Sequence, residues 1–133
     1  TADTKLPDDG KLHFSGVTTD ATPTVIGNIP VAENESCLLH VNVKASRYNN
    51  ATSSAKATYV IEQEVTRPLG GNVAVSTTSR QLADEGDSAI DFVIEADTTA
   101  QTAKLKATGV SWARMQWKAE VEVQRISEKQ YER

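Results

Sequence analysis

The sequence has a single cysteine, Cys37, and two histidines, His13 and His40. One thiol cannot form a disulfide within the chain, and a lone cysteine on the apolar side of a strand is typical of a small core residue. A zinc site needs three or four ligands, and neither histidine lies near a second ligand at metal spacing. The sequence therefore predicts no metal site and no other cofactor.

Long apolar runs and excess positive charge are also missing. No segment approaches the ~18 apolar residues that a membrane helix needs, and residues 1–5 lack the apolar core of a secretory signal, so we expect no membrane contact. The net charge is −4 and the pI is about 5.1, whereas nucleic-acid binding requires a basic surface. Nucleic acid is therefore not expected as a partner.

Large side chains are scarce. Aromatic residues make up 5% and hydrophobic residues 38% of the 133 residues, and small residues such as Ala, Thr, Ser and Val are abundant. A chain of this length forms one domain with a core of its own. Its composition suits a thin β-sandwich, and also a protomer that buries part of its surface against copies of itself.

The clearest pattern that is present runs from Ala113 to Gln124. Odd positions are apolar and even positions are polar or charged along the whole segment. Such alternation predicts a β-strand with one buried face, because successive side chains of a strand point to opposite faces. A helix is excluded, since Met115 and Trp117 would lie on nearly opposite sides of it.

Similar alternation recurs along the chain at roughly even spacing. It predicts an all-β fold, a single antiparallel β-sandwich of jelly-roll type with about eight strands. Residues 47–56 are predicted to form the longest loop, and residues 83–88 an acidic loop after a fifth strand that fades beyond Val75. The predicted core rows are Cys37-Leu39-Val41-Val43, Tyr59-Ile61, Ile90-Phe92-Ile94 and Met115-Trp117-Val121-Val123.

Both ends of the chain are predicted to lie outside the sandwich. Residues 1–11 contain Pro, Asp and Gly, with Leu6 as the one large apolar side chain, which predicts a flexible arm that becomes ordered on a neighbour. The sandwich domain is expected to span residues 12–126. Residues 127–133 are expected to form a polar tail.

No combination of side chains predicts catalysis. Cys37 and His40 are three residues apart on one predicted strand and so point to opposite faces, which excludes a nucleophile–base pair. Four acidic residues lack the spacing of an EF-hand calcium loop and are interpreted as a solvated turn: Asp84, Glu85, Asp87 and Asp91. We therefore expect that the protein is not an enzyme.

The order of the turns and strands resembles a known module. Thr18-Thr19-Asp20-Ala21-Thr22-Pro23 leads through Val25-Ile26 into Ile29-Pro30-Val31, and the later segments are residues 57–62, 89–93, 96–99, 105–109 and 117–121. This order, across residues 12–126, is similar to a module recurrent in virion proteins of tailed bacteriophages. Such modules occur in head-decoration proteins and in tip domains of tail fibres and tail needles. The resemblance implies a β-sandwich that functions as a homotrimer and has no catalytic activity.

The resemblance implies a structural virion protein on the capsid surface or in the tail. Our first hypothesis is a trimeric capsid decoration, or cement, protein that binds and stabilises the major capsid protein, because the sequence lacks the long shaft of a fibre. The alternative is a receptor-binding tip domain of a tail fibre or tail needle that recognises a host surface glycan. In that case an exposed aromatic side chain such as Trp112 would stack on a sugar ring.

Candidate interface residues come from the arm, the longest loop and the outer sides of the strands. Three of them are apolar on otherwise polar strand sides and are expected to form one apolar band through which copies of the chain associate: Leu38, Val60 and Val93. The alternative is that the three are scattered singly, which is normal for exposed apolar residues. The others are predicted contacts of the arm and loops: Leu6, Tyr48, Asn49, Asn50 and Trp112.

Overall fold

The computed structural model describes residues 9–50, 52–76 and 80–127, with the backbone alone for residues 9, 10, 80 and 127. Within these ranges the chain forms nine β-strands and no helix. The strands are β1 (Asp9–Thr18), β2 (Thr24–Pro30), β3 (Glu35–Arg47), β4 (Lys56–Arg67), β5 (Ala74–Val75), β6 (Arg80–Glu85), β7 (Asp91–Asp97), β8 (Thr102–Thr108) and β9 (Met115–Ser127). The described part of the chain thus contains no helix that would be able to cross a membrane.

The strands form two antiparallel sheets. The larger sheet has the order β1-β9-β3-β4-β5, and β6 also pairs with β4. The smaller sheet has the order β2-β8-β7. In each sheet, one pair joins strands from opposite ends of the chain: β1 pairs with β9, and β2 pairs with β8. The pairs β3–β4 and β7–β8 join strands that are consecutive in sequence. The predicted all-β antiparallel sandwich is confirmed.

The core lies between the two sheets. The side chains of the predicted core rows are all buried, as the alternation predicts. The Phe92 ring on β7 of the smaller sheet lies 5.9 Å from the Tyr59 ring and 6.2 Å from the Trp117 ring of the larger sheet, measured between centroids. These three of the seven aromatic residues therefore join the two sheets at the centre of the core.

Two strands extend by three residues into segments predicted to be irregular. Strand β1 begins at Asp9, inside the predicted arm, and pairs there with Gln124 of β9. Strand β6 includes Ala83, Asp84 and Glu85, which were predicted to lie in an acidic loop. The described side chains of β6 are exposed on both faces, so its residues carry no alternation. Backbone hydrogen bonds to β4 hold this edge strand, and they leave no pattern in the sequence.

Candidate functional site

Four of the predicted interface residues meet at one end of the sandwich. Tyr48, Asn49 and Asn50 follow β3, and Trp112 lies in the connection between β8 and β9. The two connections are adjacent because β3 and β9 pair up to their ends, and the Tyr48 backbone N–H donates to the Arg114 carbonyl at 2.8 Å. We call the group Arg47, Tyr48, Trp112 and Arg114 the aromatic patch.

The turn after β3 is held by its asparagines. Asn49 has a φ of 60°, a left-handed conformation that asparagine tolerates better than most residues. The Asn50 backbone N–H donates to the Arg47 carbonyl at 3.1 Å and closes the turn. The Asn50 side-chain carbonyl accepts hydrogen bonds from the Thr52 backbone N–H at 3.3 Å and the Thr52 hydroxyl at 3.1 Å. Local bonds therefore fix the position of Tyr48 in the patch.

The connection between β8 and β9 is anchored by buried contacts. A Cβ atom at Gly109 would overlap the Thr18 side chain, so this close approach requires glycine. The Thr18 hydroxyl accepts a buried hydrogen bond from the Trp117 indole N–H at 3.0 Å. Val110 and Ala113 are buried on either side of Trp112, which is 48% exposed. The loop thus holds Trp112 at the surface on a rigid support.

Each exposed ring of the patch has an arginine over one of its faces. The Arg47 guanidinium carbon lies 5.5 Å from the Trp112 ring centroid, and that of Arg114 lies 5.0 Å from the Tyr48 centroid. These distances are typical of cation–π contacts. Neither arginine forms an ion pair with a carboxylate of the described residues. The patch therefore combines flat apolar faces with guanidinium N–H donors that remain available to a ligand.

The sequence did not predict the two arginines as site residues. The available signal was their position, since Arg47 precedes Tyr48 and Arg114 follows Trp112 by two residues. The stacking, however, pairs Arg47 with Trp112 and Arg114 with Tyr48 across two strands.

The expected apolar band does not form. Leu38 and Val60 lie on the outer face of the larger sheet, but Val93 is on β7 in the smaller sheet and faces away on the opposite side of the sandwich. Leu38 pairs with Glu64 and Gln124, whereas Val60 pairs with Asn42 and Leu82, so even the first two are separated along the strands. Sheet membership is not encoded in alternation, which explains the error. Leu6 lies outside the described residues.

The remaining reactive groups are occupied or shielded. Burial raises the pKa of the Cys37 thiol to about 11, although the nearby Arg125 guanidinium acts to lower it, so the thiol is protonated and unreactive at neutral pH. His40 Nδ1 lies 3.3 Å from Glu62 Oε2 on the polar face. Glu85 accepts a 2.6 Å hydrogen bond from the Tyr59 hydroxyl. In the described ranges no three His, Cys, Asp or Glu side chains are grouped to hold a metal ion.

No family model matches the chain, and no curated protein matches it. Among solved structures, the tailspike protein of Acinetobacter baumannii phage AM24 superposes with a TM-score of 0.57 at 10% identity, over 91% of this chain and 27% of the tailspike chain. A tailspike protein from Acinetobacter baumannii bacteriophage Fri1, described as a capsular polysaccharide depolymerase, has a TM-score of 0.42 at 13% identity, over 98% and 21% of the two chains. The Acinetobacter phage vB_ApiP_P1 tailspike protein has a TM-score of 0.38 at 15% identity, over 95% and 24%.

These likenesses concern part of each tailspike. The chain spans about a quarter of the length of the tailspike chains that it matches. At this level of identity the likeness to the phage AM24 protein is one of fold. The chain therefore has a β-sandwich fold similar to a region of a bacteriophage tailspike protein.

Proposed function

We propose that the chain is a glycan-recognising module of a bacteriophage tail protein, a tailspike or tail fibre, and that the aromatic patch contacts the host surface glycan. The observation that carries this proposal is the exposure of Trp112 and Tyr48 on anchored loops at one end of the sandwich, each beside an arginine. The similar fold of the phage AM24 tailspike region supports a place in the virion tail.

The chemistry of the patch suits a sugar. The C–H face of a pyranose ring stacks on an aromatic face, and the exposed indole of Trp112 offers a large rigid one. Guanidinium groups donate several hydrogen bonds in a fixed plane, which suits the hydroxyl and carboxylate oxygens around such a ring. Asn49 and Asn50 lie beside the rings and add amide groups. The support from Gly109 and Thr18 reduces the ordering that binding would require.

The capsid-decoration hypothesis has less support. It rests on the sequence resemblance, and no described feature of the fold favours the major capsid protein as the partner. A homotrimer remains a prediction from the resemblance alone, because the apolar band that was expected to support association of copies does not form. Native mass spectrometry at micromolar concentration tests it, because a single species near 14.4 kDa would contradict it.

Glycan-array binding of the fluorescently labelled protein tests the proposed function. We expect binding to a subset of bacterial surface glycans, with a loss of about tenfold or more for Trp112→Ala and for Tyr48→Ala. Leu69→Ala is the matched control, because Leu69 is 75% exposed in the turn after β4 at the other end of the sandwich. Binding that these two aromatic substitutions leave unchanged, or no binding to any glycan, would contradict the proposal.

We also propose that the module binds the glycan without cleaving it. Two carboxylates on the outer face of the larger sheet lie beside basic side chains: Glu120 lies 3.9 Å from Lys11 Nζ, and Glu62 lies beside His40. Incubation of the protein with any glycan that it binds, followed by mass spectrometry of the products, is expected to leave the glycan intact. The appearance of shorter chains with new reducing ends would show that the module is catalytic.

A further inference from the structure

An open groove crosses the outer face of the larger sheet. Side chains from β1, β9, β3 and β4 line it, and its volume of about 700 Å³ lies within the range of small-molecule sites. Seven of the twelve lining residues carry a polar or charged side chain, so the groove offers hydrogen-bonding groups to a ligand. It is separate from the aromatic patch, and the proposed function above makes no use of it.

Two lysines face each other on the floor of this groove. Lys44 of β3 lies directly opposite Lys118 of β9, and both are exposed. Like charges directly opposite each other on neighbouring strands repel and weaken the pairing. Neither ammonium group forms an ion pair with a described carboxylate. The pair is therefore a concentration of positive charge without a compensating group within hydrogen-bonding distance.

The neighbours of the lysine pair in the same cross-strand row offer hydrogen bonds rather than negative charge. Ser15 lies opposite Lys118 on β1, and Thr58 lies opposite Lys44 on β4. The next carboxylate along this row is Asp84, on the far side of Thr58, which places it roughly 10 Å from Lys44 at the usual strand spacing. Hydroxyl groups thus flank the two ammonium groups.

The groove carboxylate nearest to the pair already has cationic partners. Glu120 lies one row away, opposite Asn42. Its oxygens lie 3.9 Å from Lys11 Nζ and 4.0 Å from His13 Nε2. These contacts draw the carboxylate toward β1 and away from β3. The lysine pair therefore remains available to an anion from outside the protein.

The lysine pair is aligned with the aromatic patch. The exposed side of β9 carries Lys118 and Gln116 and continues to Arg114, and the exposed side of β3 carries Lys44 and Ser46 before Tyr48. From Lys118 to Arg114 is four residues, roughly 14 Å at about 3.4 Å per residue of strand. The side chains between them are uncharged, so a strip of two cationic centres joined by amide and hydroxyl groups runs from the groove to the patch.

We propose that Lys44 and Lys118 bind an anionic substituent of the glycan, and that the ligand is an acidic polysaccharide lying along β3 and β9. This inference rests on the proposed function, because it assigns the charge of the same ligand. A carboxylate or phosphate between the two ammonium groups relieves their repulsion, while sugar rings further along the chain stack on the aromatic patch. Lysine suits this role as a point charge that accepts either anion.

The test compares binding to carboxylated, phosphorylated and neutral glycans, arrayed as separate sets. We expect the wild-type protein to bind acidic glycans. The Lys44→Gln/Lys118→Gln variant should bind them with an affinity lower by about tenfold or more. The control is Lys104→Gln/Lys106→Gln, which makes the same change of charge on β8 in the other sheet and should bind as the wild type does. Binding of the wild type should also weaken with salt more steeply than that of the groove variant.

The possible results separate the two proposals. Equal binding to acidic and neutral glycans, or binding unchanged in the groove variant, would overturn this inference and leave the proposed function standing. Binding of acidic glycans that depends on the lysines but not on Trp112 or Tyr48 would support the inference and overturn the role of the patch. No binding to any glycan would overturn both. The groove variant should melt no lower than the wild type, since repulsion is removed, which excludes unfolding as the cause of lost binding.

Discussion

The two ends of strand β3 lie roughly 40 Å apart at about 3.4 Å per residue, and arginine side chains make different contacts at each end. At the first end, Arg125 of β9 bonds to Glu35 at 2.8 Å and to the Pro30 carbonyl at 3.0 Å, and the Arg125 and Glu35 side chains are 7% and 12% exposed. Arg67 bonds there to the Val31 and Gly71 carbonyls. We call this the closed end and the end with the aromatic patch the open end.

The same side chain has different uses at the two ends. At the closed end the guanidinium donors are directed to carbonyl and carboxylate oxygens of the protein, so they stabilise the fold. At the open end the guanidinium groups of Arg47 and Arg114 lie over aromatic rings and form no ion pair with a described carboxylate. The closed end therefore contributes stability, and the arginines of the open end are placed where the proposed glycan contact would need them.

The largest expected effect is the loss of the buried ion pair. Arg125→Met should lower the free energy of unfolding by about 3–5 kcal/mol, because it leaves the Glu35 carboxylate buried without its cation. Urea denaturation followed by circular dichroism measures the change. Arg47→Met, the same substitution at the open end, should cost less than about 1 kcal/mol. Equal losses at the two ends would show that the comparison is wrong.

The closed end also permits a rescue. Arg125 Nε is buried without a hydrogen-bond partner among the described residues, so the ion pair is incompletely satisfied. Replacement of both members by apolar residues, Glu35→Leu with Arg125→Met, should recover part of the stability lost in the single variant, because no unpaired charge is then buried. A double variant less stable than Arg125→Met would contradict this account.

A smaller loss is expected from the support beneath the open end. Gly109→Ala places a methyl group against Thr18 and should cost about 1–3 kcal/mol. It should also weaken glycan binding, since the loop that carries Trp112 must move. In a double-mutant cycle with Thr18→Ala the two costs should sum to more than the measured cost of the pair, because truncation of Thr18 removes its hydroxyl oxygen, the atom closest to the new methyl group. If the two costs were strictly additive, the strain caused by Gly109→Ala would arise at a contact other than Thr18.

The closed end should also respond to high pH. The pKa of the buried Cys37 thiol is about 11, above its ordinary value of 9.0, so its contribution to stability is complete below pH 9 and is lost as the pH rises toward 11. Burial and the hydrogen bond to Glu85 also raise the pKa of Tyr59, so its contribution to stability is likewise lost as the pH rises. Urea midpoints of the wild type and Cys37→Ala at pH 8 and pH 10 should converge at the higher pH. An unchanged difference between the two urea midpoints at pH 8 and pH 10 would show that the thiol has the same pKa in the folded and unfolded states.

The smallest effect is the stacking at the open end. The Arg47–Trp112 pair should show a coupling free energy of about 0.5–1 kcal/mol in a double-mutant cycle of Arg47→Ala and Trp112→Ala, because both groups are partly solvated. Thermal melting measures it. A coupling above about 2 kcal/mol would mean that the patch is a structural element rather than an available surface.

The fold could be predicted where one face of a strand is buried. Alternation identified β3, β4, β7 and β9, because burial imposes a period of two on their side chains. It failed for β6, whose described side chains are solvated on both faces, and for the start of β1, where the backbone of Asp9 and Gly10 pairs with β9. Backbone pairing contributes equally for every non-proline residue and is invisible in the sequence.

The site could be predicted in parts but not as a whole. Tyr48 and Trp112 were selected because their types and positions suggest exposed aromatic rings. Their proximity depends on the pairing of Arg47 with Met115, a contact between distant parts of the chain that composition does not reveal. The same limit explains Val60 and Val93, which share a pattern and lie on opposite sides of the molecule.

The pairing of Asp9 with Gln124 determines where the outer ends of strands β1 and β9 lie. These two residues lie side by side near the closed end, and Gln124 is ten residues from Arg114, roughly 34 Å along β9 at about 3.4 Å per residue. Strand β1 therefore begins, and strand β9 ends, at the closed end of the sandwich. The aromatic patch lies at the opposite end of both strands, so the proposed glycan site is the part of the sandwich farthest from these strand ends.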